Sequence, residues 1–106
     1  MNIQPLSDIN DTRWFRQSLK VLKSDPSLST EDIERIITDT IADYVIGTIG
    51  VLDLLEFTDT LKKSKAKLSP DLKYIAEDLS ELHKYKFDKQ FVHNILIDVL
   101  RKITRT

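Results

Sequence analysis

The chain has 106 residues, and its 16 Lys and Arg residues against 17 Asp and Glu residues give a formal net charge of −1. A chain of this length normally forms one core, so we expect a single domain over residues 1–106. The absence of Cys excludes disulfides, thiolate metal sites and cysteine nucleophiles. Only two glycines are present, which argues against a turn-rich sandwich or barrel. The expected fold is therefore all-α, a compact bundle of four to five helices with short connections.

The ends of the chain and its most apolar window predict a location away from membranes. The first ten residues lack the basic and apolar regions of a signal peptide, and we expect them to form an irregular arm. The most apolar window, residues 44–57, contains two acids and is shorter than the ~20 apolar residues of a membrane span. Residues 104–106 are expected to fray. These features favour a soluble cytoplasmic protein that does not associate with a membrane.

The first predicted helix begins at Asp11, a residue type that caps helices, and runs to about Lys23. Its apolar side consists of Trp14, Phe15, Leu19, Val21 and Leu22. Its opposite side is wholly basic and consists of Arg13, Arg16, Lys20 and Lys23. The helix should end before Pro26, because the residue preceding a proline is disfavoured in the α conformation.

The second predicted helix begins at a capping residue, either Ser29 or Thr30. Its predicted apolar face consists of Ile33, Ile36, Ile37, Ile41, Tyr44 and Val45, and its far side carries Asp32, Asp39 and Asp43. Gly47 and Gly50 predict a break, since each costs ~1 kcal/mol inside a helix. One long helix remains the alternative, because the apolar residues after the glycines keep the same phase.

The third predicted helix, residues 51–65, has acids near its start and lysines at its end, which is the polarity that the helix dipole favours. Apolar residues occupy more than one of its flanks. This pattern predicts either the central helix of the bundle or a subunit interface. The residues that would form such an interface are Val51, Leu54, Phe57 and Leu61.

The last two predicted helices have the clearest start signals. Ser69 as a cap, Pro70 in the first helical position and Asp71 in the first turn predict a helix that runs to about Lys84. Asp88 is expected to cap the final helix, which ends among basic residues. The predicted apolar positions are Leu72, Ile75, Ala76, Leu79 and Leu82 in the fourth helix, and Phe91, Val92, Ile95, Leu96, Val99, Leu100 and Ile103 in the fifth.

Residues that could support catalysis are few. His83 and His93 would meet if the last two helices packed antiparallel, which would suggest a metal site. The Glu-x-x-His motif of di-iron bundles is missing, however, and two histidines alone make a poor metal site. We therefore expect no enzyme activity, no metal and no cofactor.

The distribution of charge along the chain is more informative than its total. Residues 29–59 contain eight acids and a single base, a local net charge of −7. The leading hypothesis is a protein-binding module with a basic partner, most concretely an acidic inhibitor of the immunity or antitoxin kind that blocks a basic toxin such as a nuclease. Its predicted contacts are an acidic patch of Asp32, Asp39, Asp43, Asp53 and Glu56, with Tyr74 and Tyr85 as possible aromatic anchors. A solvated helix face, or neutralisation by the basic first helix, would explain the same acids.

Two other functions stay open. The first is a structural subunit that forms a homodimer through residues 51–61. The second is a small nucleic-acid regulator that contacts phosphates through its first helix or through the cluster of Lys62, Lys63, Lys65 and Lys67. A sequence pI of about 6.1 argues against nucleic acid as a partner.

Overall fold

The computed structural model describes residues 12–104, and within that range the chain is helical with no strand. The helices are α1 Arg13–Ser24, α2 Thr30–Ile46, α3 Val51–Lys62, α4 Pro70–Ser80, the single-turn α5 Leu82–Tyr85, and α6 Lys89–Thr104. The predicted all-α bundle is confirmed. Three expectations fall outside the described residues, namely the irregular arm over residues 1–10, the helix cap at Asp11 and most of the frayed C-terminal end.

The connection between α2 and α3 resolves the choice between a break and one long helix. Ser29 caps α2 by accepting a hydrogen bond from the Asp32 backbone N–H at 3.0 Å, and the Asp32 carboxylate accepts from the Ser29 N–H at 3.1 Å. At the other end, α2 terminates at Gly47, which has a φ of 89°. This left-handed conformation is one that residues with a Cβ adopt only at a cost, so the predicted break is confirmed.

The starts of α4 and α6 also agree with the predicted caps. Ser69 accepts from the Leu72 N–H at 3.2 Å, and Asp88 accepts from the Phe91 N–H at 3.1 Å. The predicted ends were too late. Helix α3 stops at Lys62 rather than near residue 65, and α4 stops at Ser80 rather than near residue 84. The Glu81 N–H bonds to a carbonyl only three residues back, which tightens the chain and separates α4 from α5.

Helix α3 is the central helix, packed against α1, α2 and α4. Leu54, Phe57 and Leu61 are buried in the core of a single chain, and Val51 is half-buried against it. Three of the four residues predicted as a possible dimer interface are therefore already covered within the monomer. Two residues predicted on apolar faces lie instead at the surface, Trp14 with 42% and Val45 with 68% of its area exposed. Both lie near a helix end, where fewer neighbouring helices are available to cover a side chain.

Contacts between helices define their relative directions. Arg16, in the first turn of α1, pairs with acids in the first half of α3, and the Leu22 carbonyl near the end of α1 accepts from the Lys65 N–H beyond the end of α3. Helices α1 and α3 are therefore parallel. The corner between α2 and α3 lies at one end of the bundle, and the loop of residues 63–69 lies at the other.

None of the helices in residues 12–104 is long and apolar enough to cross a membrane.

Candidate functional site

Two members of the predicted acidic patch cap their own helices. The Asp32 carboxylate accepts from the Ser29 backbone N–H, as described above, and the Asp53 carboxylate accepts from the Gly50 N–H at 3.0 Å. Each carboxylate thus satisfies a backbone donor that the start of a helix leaves without an intrahelical partner. These two acids have a structural role that requires no partner protein.

Arg16 neutralises another part of the patch. Its guanidinium bonds to Glu56 Oε1 at 2.8 Å and to Asp53 Oδ1 at 3.4 Å. The Arg16 side chain keeps half of its area exposed, so these are surface ion pairs worth at most about 1 kcal/mol each. The alternative of neutralisation by the basic first helix therefore holds for Asp53 and Glu56.

Asp39 and Asp43 remain from the patch, one helical turn apart on α2. Among residues 12–104, no cation lies within ion-pair distance of either carboxylate. Partial burial raises the pKa of Asp43 above its ordinary value of 3.8, and repulsion from Asp39 raises it further. These two acids therefore carry negative charge that nothing in the described part of the chain compensates.

A groove between α2, α4 and α6 brings together residues that the sequence analysis had not grouped. It has a volume of about 360 Å³ and is lined by Glu34 from α2, by Asp71, Tyr74 and Ile75 from α4, and by Lys102 from α6. We call it the acidic groove. Its volume falls in the range of small-molecule and side-chain binding sites, ~300–1,000 Å³.

The single cation of the acidic groove is already paired. The Lys102 ammonium group contacts the Asp78 carboxylate and lies 3.2 Å from Asp98 Oδ2. The hydrogen bond to Asp78 raises the pKa of Lys102, so this side chain stays protonated at neutral pH. Neither Glu34 nor Asp71 has an ion-pair partner within the described range. The walls of the groove therefore present carboxylates that can accept a further cation.

The two predicted aromatic anchors lie in different surroundings. Tyr74 lines the acidic groove and has 70% of its area exposed. Tyr85 is 44% exposed and lies against Phe91, with ring centroids 4.2 Å apart. Only Tyr74 thus lies beside carboxylates in a concave surface, where an exposed aromatic ring is typical of a binding contact.

No sequence pattern groups Glu34, Asp71 and Lys102 into one site. Asp71 was explained by the dipole of its own helix, and Lys102 by the C-terminal end of α6. The three residues lie on three different helices, so their proximity depends on packing that no local spacing reveals. The one local signal was Tyr74, an aromatic residue placed away from the predicted core face of α4.

The two histidines do not form the metal site that antiparallel packing would allow. His83 Nε2 lies 3.0 Å from Asp59 Oδ1, and His93 packs edge-on against Tyr44 with ring centroids 6.3 Å apart. No group of three or more His, Asp or Glu side chains in the described residues could hold a metal ion.

Comparison with protein-family models, with curated proteins and with solved structures found no match to this chain.

Proposed function

We propose that this chain is a non-enzymatic protein-binding module that recognises a basic partner through the acidic groove. The observation that carries the proposal is an exposed tyrosine beside carboxylates that lack a compensating cation, in a groove formed by three helices. In its most concrete form, the proposed function is inhibition of a basic toxin, such as a nuclease, by an immunity or antitoxin protein.

The chemistry of the groove fits an Arg or Lys side chain of the partner. The charged head of that side chain would pair with Glu34 and Asp71, while its aliphatic stem would pack on Tyr74 and Ile75. An arginine has the further advantage that its planar guanidinium can lie on the tyrosine ring. Such a contact combines charge complementarity with burial of an aromatic surface, as binding hot spots commonly do.

Asp39 and Asp43 support the same proposal from another side of the molecule. Glu34 and Asp43 are nine residues apart, about 2.5 helical turns, and so lie on opposite sides of α2. A side chain in the acidic groove cannot contact Asp43 as well. We assign to Asp39 and Asp43 the role of attracting a basic partner during approach, which raises the association rate more than the affinity.

A titration with a model ligand tests the site. The ¹⁵N-labelled protein is titrated with a capped hexapeptide of alternating Arg and Leu, and the amide shifts are followed. We expect the largest shifts at residues 74 and 75, with loss of binding in Glu34→Gln/Asp71→Asn. The matched control, Asp39→Asn/Asp43→Asn, removes the same charge and should keep the affinity within about threefold. Equal loss in both variants, or no loss in the groove variant, would contradict the assignment.

Photo-crosslinking in cells tests the function. A benzoylphenylalanine in place of Tyr74 should capture a basic protein, and the Glu34→Gln/Asp71→Asn changes should abolish that capture. The same group placed at Tyr85 serves as the control. Capture of an acidic protein, or capture that is indifferent to the groove variant, would argue against a basic partner at this site.

A further inference from the structure

A second groove, of opposite charge, lies at the loop of residues 63–69 between α3 and α4. It has a volume of about 420 Å³. Three lysines line it, Lys62 from the end of α3, Lys67 from the loop and Lys73 from α4. The other lining residues are Ser64, Ala66, Leu68, Ala76 and Glu77. We call this the lysine groove. The sequence places two of its lysines in a run, and the fold adds the third from another helix.

The positive charge of the lysine groove has no compensating ion pair. Among residues 12–104, none of its three lysines lies within ion-pair distance of an acid, and Glu77 is the one carboxylate in its lining. The helix dipole accounts for Lys62, which lies in the last turn of α3. It does not account for Lys67 or Lys73, which lie beyond that turn. A surplus of positive charge in a concave surface favours an anionic ligand.

The loop that forms the lysine groove is held in place by hydrogen bonds. The Lys65 N–H donates to the Leu22 carbonyl of α1 at 3.2 Å, and the Ala66 N–H donates to Ser64 Oγ at 3.1 Å. The Ala66 side chain is buried in the core. The lysine groove is therefore formed before any ligand arrives, which limits the ordering cost of binding.

The lysine groove adjoins the exposed tyrosine. Lys73 and Glu77 also line a smaller groove of about 330 Å³, together with Pro70 and Tyr74. A ligand lying across Lys73 would thus meet ammonium groups on one side and an exposed aromatic ring on the other. Single-stranded nucleic acids are bound by this combination, in which lysines contact backbone phosphates and bases stack on aromatic side chains. We propose that the lysine groove binds single-stranded nucleic acid, with phosphates on its three lysines and one base on Tyr74.

The position of the exposed apolar residues favours this ligand over an anionic membrane. Binding to a membrane surface requires apolar side chains beside the basic ones, so that they can enter the bilayer together. Val45, Ile46 and Leu52 are each about two-thirds exposed, but they lie at the α2–α3 corner, at the opposite end of the bundle from the lysine groove. The large aromatic beside the lysines is Tyr74, whose ring can stack on a base.

The test is fluorescence anisotropy with a labelled 12-nucleotide poly(dT) and matched charge variants. Lys67→Gln/Lys73→Gln should weaken binding at least tenfold in 50 mM salt, whereas Lys84→Gln/Lys89→Gln removes the same charge from exposed positions elsewhere and should change it less than twofold. Three phosphate contacts predict a loss of about twentyfold between 50 and 200 mM salt, because the slope for single strands is about −0.7 per contact. Tyr74→Ala should weaken binding at least fivefold.

Several results would overturn the proposal. These are equal loss in the two lysine variants, a salt slope near zero, or no binding at 100 μM protein in 50 mM salt. Tighter binding of a poly-Glu peptide of equal charge would assign the groove to an acidic protein, and tighter binding to anionic phospholipid vesicles would assign it to a membrane. Both proposals use Tyr74, which lines the acidic groove and the smaller groove beside the lysine groove. The acidic groove and the lysine groove have no charged residue in common, so their charge variants test the two proposals separately.

Discussion

Thr40 offers a direct test of the packing described above. Its side chain is fully buried in α2, and its hydroxyl is the one buried side-chain polar group among the described residues that lacks a hydrogen-bond partner. The equally buried Thr58 of α3 differs in this respect, because its hydroxyl donates to the Leu54 carbonyl at 3.0 Å. The two residues form a matched pair, since both are β-branched, fully buried and inside a helix.

Replacement by valine should therefore raise stability at Thr40 but not at Thr58. A buried hydroxyl without a partner carries a desolvation cost of about 1–3 kcal/mol, and Thr40→Val removes that cost while keeping the shape of the side chain. We expect a gain of about 1 kcal/mol in the free energy of unfolding. Thr58→Val instead gives up a hydrogen bond worth about 0.5–1.5 kcal/mol, so it should leave stability unchanged or lower it by about 1 kcal/mol.

Urea denaturation followed by circular dichroism measures both changes. With a slope of about 1.5 kcal/mol per molar urea, the Thr40→Val midpoint should rise by about 0.7 M. Its slope should match that of the original protein, since the surface exposed on unfolding is the same. A midpoint for Thr40→Val that is equal to or below that of Thr58→Val would refute the reasoning, and would mean that the Thr40 hydroxyl is hydrogen-bonded in solution.

Three further predictions follow from charge and backbone conformation. The folded state raises the pKa of Asp43, so folding favours the protonated form of this carboxyl. The stability that the protonated form contributes is lost as the pH rises from about 3.8 through the raised pKa. Asp43→Asn should then stabilise the protein by about 0.2–0.5 kcal/mol at pH 7 and by nothing at pH 3 in thermal melts. Gly47→Ala should cost about 1 kcal/mol, because only the φ of 89° opposes a Cβ there. Gly50→Ala, with equal space and negative φ, should cost less in urea denaturation, about 0.5 kcal/mol, because Ala is a poorer N-cap residue than Gly. Arg16→Gln removes both of its surface ion pairs and should cost at most about 2 kcal/mol, and this cost should shrink in 1 M NaCl.

Each of these has a result that would contradict it. A pH-independent effect of Asp43→Asn would mean that the carboxyl titrates normally. Equal costs for the two glycine substitutions would remove the left-handed conformation as the cause of the helix break. A cost for Arg16→Gln that persists in high salt would point to packing of its aliphatic stem rather than to its charge.

The parts of the fold that could be predicted from sequence depend on local chemistry. Ser29, Ser69 and Asp88 each bond to a backbone N–H three residues ahead, so their signals are complete within one helical turn. Trp14 and Val45 were assigned to apolar faces by the same helical periodicity and are nevertheless exposed. Their burial depends on whether another helix passes over them, and periodicity carries no information about that.

The candidate site was less predictable for the same reason. The acidic segment was visible as a run of charge, but its members perform three different tasks. Asp32 caps a helix, Glu56 pairs with a basic helix some 40 residues earlier, and Asp39 remains without a cation. From the sequence, these acids could contact either a partner or the first helix. The packing of α1 along α3 decides between them for Asp53 and Glu56, which pair with Arg16.

The way α1 joins the bundle has a consequence for the order of folding. Helices that follow one another through short loops make contacts close in sequence, and such contacts form quickly because little chain entropy is lost in closing them. The α2–α3 corner at Gly47 is of this kind. Helix α1 instead packs on α3, and its ion pairs span 37 and 40 residues. In a kinetic experiment, substitutions at the α1–α3 contact should therefore speed unfolding more than they slow folding, as expected for the element that docks last.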